Sequence, residues 1–594
     1  MKTIRFIIFG SILIATGVLA VAGCRKNFLD RTPLSSISDA EFWKTPTDMQ
    51  LYVNNFYSTI LPRYNGVVTK SPFNVYTLDA DLGSDNMIAM NYNAEVLNGE
   101  RVVPPSGGGW NWAQVRNVNY FLENYKRSPE SFDKLQQFVG EALFFRAWLY
   151  FDLTKSFGDL PWINRPLTPE DEALLISPRV SRSIIVDSMI ADLDRAIQYL
   201  PTKSKSKPNR VYKEVAQAFL SRVALFEGTW EKYHAGTVFG VEGSDGTQYL
   251  EKARAAAQEV ISSGIFDLDN KTTGDTKGYW QLFNRNDYSN SKEVMFWRRY
   301  DPSQGVYNLW AGYGKAGMGR GLTKNLVDYY LCTDGQPIAL SKNYKGDATV
   351  KDAVTKRDPR LSQTICVNDG NHTLTNNRTG FDNVEFKYPS FNAVSEEKCA
   401  TGYQLYKGSN PDYTKQVSNQ GDAGLIFFRY AEVLLNLAEA KAELGTISQA
   451  DLDATINQLR DRVKMPHLIQ DAITTDPDWE FPALSAIVNE VRRERRVELA
   501  CEGFRHDDIW RWAAADQLIL SWKPLGALKA QWAAVPELTN SLKAYPVNAD
   551  GYIELYQNTT AMTGGYQFKT NRDYLLPIPL DQMLLANYSQ NPNW

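Results

Sequence analysis

The feature that most constrains this chain is a helix-forming stretch whose charges fall on the face that should be buried. Leu484, Ile487, Val488 and Val491 recur at helical spacing and mark one apolar stripe. Continued at about 100° per residue, the stripe runs through Arg495, Glu498 and Glu502. Burying ionisable side chains unpaired is strongly unfavourable, so these three must find partners. Arg495 is spaced i,i+3 to Glu498 and i,i+7 to Glu502, which predicts pairing along the helix itself, with Arg492, Arg493, Arg496 and Arg505 close enough to join. A catalytic carboxylate pair is the competing reading. Arginines lower carboxylate pKa values, whereas a general acid needs its pKa raised, so the stretch reads as a structural ion network.

The same stretch, RRERRVELACEGFRHDDIWRW from Arg492, resembles the C-terminal signature of the SusD/RagB family of bacterial glycan-capture lipoproteins. Four further segments carry the likeness: FLDRTPLSSISDAEFWKTPTDMQLYVNNFYS from Phe28, LIFFRYAEVLLNLAEAKAELG from Leu425, INQLRDRVKMP from Ile456, and YLLPIPLDQMLLANYSQNPNW closing the chain. The resemblance spans nearly the whole mature chain. It implies a non-catalytic, surface-anchored nutrient binder, without cofactor, that sits on a SusC-like TonB-dependent transporter of the outer membrane.

Lys2 and Arg5 precede an apolar run from Phe6 to Ala22, closed by Val21-Ala22-Gly23-Cys24. The run has the proportions of a secretory signal. Small residues before a cysteine resemble a bacterial lipobox, with Val21 in place of the usual leucine, so Cys24 is the expected lipidation site. The expected organisation is a signal peptide over 1–23 and a single unit over 24–594, with an N-terminal part at 28–230 and a C-terminal part at 290–594. The mature chain is then tethered to a membrane rather than spanning it. A net charge of −4 and the lack of any long basic run argue against nucleic acid as a partner. No CxxC pair occurs, and His234, His372, His467 and His506 lack metal-ligand spacing, which argues against a zinc site. Whether Cys366 and Cys399 are bridged is left open.

Helical periodicity predicts helices over Thr47–Ile60, from Trp112 onward, Leu135–Phe157, Arg182–Leu200, Tyr212–Gly228, Tyr249–Ser263, Leu425–Leu444, Leu452–Val463, Leu484–Glu502 and Asp507–Ala515. Leu135–Phe157 is apolar nearly all round and belongs in the middle of the molecule. The helices come in pairs resembling tetratricopeptide units. The expected fold is therefore mainly α: a superhelical helix-pair scaffold interrupted by large loop and short-strand inserts, the longest over about 266–424 and 516–573.

Function commonly lives on loops held by a rigid scaffold. Gly312–Gly317 matches GxGxxG but lacks the strand-turn-helix setting of a dinucleotide fold. Asp79, Asp81 and Asp85 alternate with Gly83 but lack the terminal Glu of an EF-hand, so a hydrogen-bonded turn is expected and no metal. The ligand-binding candidates are Tyr307, Trp310 and Tyr313 in one insert, and Asp85, Asn86 and Trp110 in another. A pyranose offers a flat C–H face to an aromatic ring, and its hydroxyls want Asp, Asn or Arg at the rim. Trp112 is taken as the core residue of its helix and Trp110 as the displayed one. The leading reading is an oligosaccharide binder at the cell's outer membrane, facing the exterior, that passes its cargo to the transporter. The alternatives are a peptide binder of the same architecture, a surface glycoside hydrolase, and a scaffold that binds partner proteins.

Overall fold

The computed structural model describes residues 42–62, 80–93, 97–269 and 277–594. Helix α1 (Pro46–Thr59) starts at a capping box in which Thr45 accepts from the Asp48 N–H while the Asp48 carboxylate accepts from the Thr45 N–H, with Pro46 in the first turn. Helices α2 (Ala113–Asn124) and α3 (Phe132–Phe157) follow. Helix α3 buries residues on all its faces, as its continuous apolar sequence requires, and ends where Gly158 turns to φ 71°.

The scaffold then winds on through α4 (Arg182–Tyr199), α5 (Lys213–Tyr233), α6 (Thr247–Ser262), α7 (Tyr430–Glu443), α8 (Ile456–Val463), α9 (Ala486–Glu498) and α10 (Arg505–Arg511). Helices α1 and α2 pack on α3, and from there each helix packs on the next from α3 to α7, with α9 against α7. The molecule is thus mainly helical, a stack of helix pairs. One large core runs along the stack, and a second lies beneath the later inserts around Leu322, Tyr330, Leu361, Tyr403 and Trp532. Helix α10 packs on α5.

Short strands stitch the inserts to the scaffold. Strands β1 (Met87–Ala89) and β3 (Arg320–Leu322) pair antiparallel, with Met87 opposite Leu322. Strand β2 (Val294–Arg298) pairs antiparallel with β6 (Leu425–Arg429), and β4 (Thr373–Thr375) with β5 (Val384–Glu385). Leu425–Arg429 was expected to open a helix and is a strand instead. A short apolar run such as Leu-Ile-Phe-Phe does not declare its type by periodicity, and pairing with β2 decides it.

The charged helix is buried on more faces than one stripe: Arg492, Arg493, Glu494, Arg495, Arg496 and Glu498 are all 3% exposed or less. The expected pairing along the helix is not what forms. Arg495 meets Asp508 at 2.9 Å and Asn436 at 2.9 Å. Glu498 meets Arg462 at 2.5 Å, Arg429 at 2.7 Å and Arg360 at 3.0 Å. Helix α9 ends at Glu498, so Glu502 sits in the turn beyond it and binds Lys407 at 2.6 Å and Arg429 at 2.7 Å. A buried carboxylate needs several donors around it, and these come only from other elements.

Candidate functional site

The insert between β2 and β3 carries Tyr307, Trp310 and Tyr313. It opens with a tight turn. Asp301 and Val306 exchange backbone hydrogen bonds at 2.6 and 3.1 Å across Gly305, and Tyr307 follows, 41% exposed. Asn308 then pins the loop from the inside. Its N–H donates to Gly421 O at 2.9 Å, its side-chain amide donates to Ala423 O at 3.0 Å, and its Oδ1 accepts from the Trp310 N–H at 3.1 Å. A one-turn helix, Trp310–Gly314, follows.

Trp310 is half-buried, and its indole Nε1 donates to Gly408 O at 2.5 Å. The ring lies against Gly408, where a Cβ would stand 2.9 Å from Cζ2 of the indole. Gly408 also holds φ 80°, a conformation that favours glycine. Gly408→Val is therefore expected to destabilise by more than about 1 kcal/mol and to displace the indole, seen as a red shift and weaker thermal stability. A variant with wild-type melting and fluorescence would show that the ring does not rest there. Tyr313 is half-buried against the second core. The last glycine of the GxGxxG match serves packing, since a Cβ on Gly317 would collide with the Cys399 backbone.

Behind Trp310 lies a crevice of about 70 Å³, walled by Phe283, Tyr288, Lys407, Glu502 and Phe504. It has room for a few waters and none for a sugar ring. Lys407 is 4% exposed and donates to Tyr279 Oη at 2.6 Å, Ala500 O at 2.8 Å and Glu502 at 2.6 Å. Burial pulls its pKa down, and Glu502 works against that. The ion network thus reaches the peptide beside Gly408 and stiffens the seat of Trp310. Neither Asn308, Lys407 nor Gly408 was singled out in the sequence. The Asn-x-Trp spacing is a readable signal for the first, while the other two act through contacts distant in the chain.

The second group of candidates divides. Asp85 is 1% exposed and binds Arg505 at 2.7 and 2.8 Å and Arg496 at 3.1 Å. Asn86 accepts from Arg496 at 2.9 Å and donates to Asp81 at 2.8 Å. Both belong to the buried ion network and not to a ligand rim, because Arg496 of α9 and Arg505 at the start of α10 claim them as partners. Asp81 accepts from the Cys501 and Gly503 N–H groups at 2.8 and 3.0 Å. Asp79 lies outside the described residues, as does Cys24. Among the described residues no grouping of His, Cys, Asp and Glu suits a metal ion, and Cys332, Cys366, Cys399 and Cys501 are free thiols.

Trp110 and Trp112 exchange the places expected of them. Trp110 is 8% exposed and packs edge-on against Phe157 with ring centres 5.0 Å apart, whereas Trp112 is half-buried. Helix α2 begins at Ala113, so Trp112 precedes it and escapes its apolar phase. Both rings border a groove of about 750 Å³ between α2, the 161–176 segment and the C-terminal residues 582–588.

The model of the SusD family matches residues 258–594, more than half of the sequence. The chain belongs to the SusD family. A second model, described as "Starch-binding associating with outer membrane", matches residues 27–225. SusD-like protein P2 of Formosa agariphila is 24% identical over 600 residues, covering 97% of each chain, and SusD-like protein P38 of the same organism is 25% identical over 521 residues, covering 84% of this chain and 90% of the relative. A SusD-like carbohydrate binding protein from Bacteroides fragilis superposes with a TM-score of 0.69 at 22% identity, covering 92% of this chain and 99% of that one. A laminarin binding SusD-like protein superposes with a TM-score of 0.53 at 17% identity, covering 93% and 100%. At these identities the structures share the SusD fold, and the helical stack described above is that fold.

Proposed function

We propose that this SusD-family chain is a non-enzymatic oligosaccharide-binding protein, anchored through Cys24 to the outer membrane and facing the exterior, that captures glycans and passes them to a SusC-like TonB-dependent transporter. One observation carries the binding role: Trp310 is held half-open by Gly408 and Asn308, three positions after an exposed Tyr307, on an insert that a rigid scaffold supports. A fixed, part-open indole is what a pyranose face requires. The names of the relatives, carbohydrate and laminarin binders among them, support the same ligand class. No helix among the described residues is long and apolar enough to cross a membrane, which fits attachment by a lipid. A tethered binder keeps its ligand at high local concentration over a transporter.

The test is a binding screen of the full-length, detergent-solubilised chain against neutral α- and β-glucan, mannan, xylan and galactan oligosaccharides beside a peptide library. Binding to at least one glycan and to no peptide is expected. Capture of peptides alone would move the chain to a peptide binder of the same architecture, and release of shortened sugars would make it a hydrolase.

A further inference from the structure

The groove of about 750 Å³ is far larger than the crevice beside Trp310 and lies on another part of the molecule. Its volume falls within the range of small-ligand sites. The floor is aromatic and braced. Trp112 meets Trp110 at 5.4 Å and Tyr150 at 5.7 Å between ring centres, both edge-on, and Tyr588 stands 5.6 Å from Trp110. An indole held from two sides presents a fixed surface without losing side-chain freedom on binding.

The rim offers both donors and acceptors. Arg116 is exposed, and its Nη1 donates to Leu167 O at 2.5 Å, which fixes the guanidinium at the groove edge. Glu172 brings an exposed carboxylate and Gln582 a half-buried amide, while Arg165 is paired with Asp171 at 2.5 and 3.0 Å. Opposite charges share the rim, so neither sign of ligand charge is favoured. A hydroxyl group both donates and accepts, and suits such a rim. A purely apolar occupant would desolvate Arg116 and Glu172 without replacing their hydrogen bonds to water.

We propose that this groove is a second oligosaccharide-binding site, separate from the Trp310 insert, in which an uncharged pyranose rests on Trp112 while Arg116, Glu172 and Gln582 meet its hydroxyls. The proposal rests on the reading of the chain as a glycan binder. Trp112 precedes α2 and lies outside its apolar phase, and this leaves its ring half-open on the groove. A second site gives the molecule two places at which to hold glycan.

Calorimetry with the tightest-binding neutral oligosaccharide from the screen tests this on the full-length chain. Two sites are expected in the wild type. Trp112→Ala removes one of them, Arg116→Ala weakens that same site at least tenfold while leaving the fold untouched, and Trp310→Ala removes the other. A single site that Trp310→Ala abolishes and that neither Trp112→Ala nor Arg116→Ala alters would overturn the groove proposal and leave the insert reading standing. A single site lost in Trp112→Ala but intact in Trp310→Ala would do the reverse. If no neutral glycan binds at all, both fall. Leu585 on the groove lip is 73% exposed. Sedimentation should therefore show one oligomeric state for wild type and Trp112→Ala alike; a change of assembly with no change in sugar binding makes this a protein-docking face and ends the proposal.

Discussion

Glu498→Ala is expected to destabilise the protein by at least about 3–5 kcal/mol, the cost of breaking a buried ion pair. Glu498 is 0% exposed and is the point where Arg360, Arg429 and Arg462 converge. Through pairs of 3.2 Å or less, the cations Arg360, Arg429, Arg460, Arg462 and Lys407 meet the carboxylates Asp358, Glu293, Glu494, Glu498 and Glu502. Removing one carboxylate leaves an uncompensated positive charge where water does not reach, and a cavity beside it. A melting temperature within a degree or two of wild type would mean that the network is open to solvent.

The same network sets an acid limit. Burial alone would raise the Glu498 carboxyl, but Arg462, Arg429 and Arg360 outweigh it and hold the group well below its ordinary value of 4.5. A group depressed on folding stabilises fully above its unfolded pKa and loses that contribution as pH falls. The wild type is therefore expected to lose stability steeply below about pH 4.5, and Glu498→Gln to show a shallower decline from a lower starting point. Parallel slopes would assign the acid limit to other groups.

How far the chain can be read from its sequence depends on whether the signal is local. The periodic stretch of α1 and the continuous apolar run of α3 are written in consecutive residues, and both helices stand in the fold where the sequence puts them. The charged stripe of α9 also declares that its partners must exist, yet not which they are. Arg360, Arg429 and Lys407 reach it from segments far away in the chain, and no spacing within the helix reveals them. Asp85 and Asn86 look like a polar loop until Arg496 of α9 and Arg505 of α10 arrive. The Trp110 and Trp112 exchange has a smaller cause: a helix that starts one residue later than expected reverses which ring faces inward. Leu425–Arg429 lay beyond periodicity for the same reason as the ion partners, since its strand exists only through β2.

For the insert, sequence composition points to Tyr307, Trp310 and Tyr313 as a group, but not to the seat that distinguishes them. Tyr313 leans into the second core, while Trp310 is neither plug nor free display: its indole N–H is tied down and part of its surface stays open. Trp310→Ala is therefore expected to weaken oligosaccharide binding at the insert by roughly 30-fold, the about 2 kcal/mol typical of a binding hot spot. The accompanying loss of stability should stay below the about 3–5 kcal/mol that a fully buried tryptophan costs. Tyr307→Ala, on the exposed ring earlier in the same insert, should weaken binding less and leave melting unchanged.

The most direct test is a calorimetric titration of the full-length chain and its Trp310→Ala variant with the oligosaccharide that the wild type binds best, run beside thermal melts of both. The structure predicts that the variant folds and that its insert site loses most of its affinity. An unchanged titration in a folded Trp310→Ala protein would contradict the assignment of this insert as the place where the SusD-family chain holds its glycan.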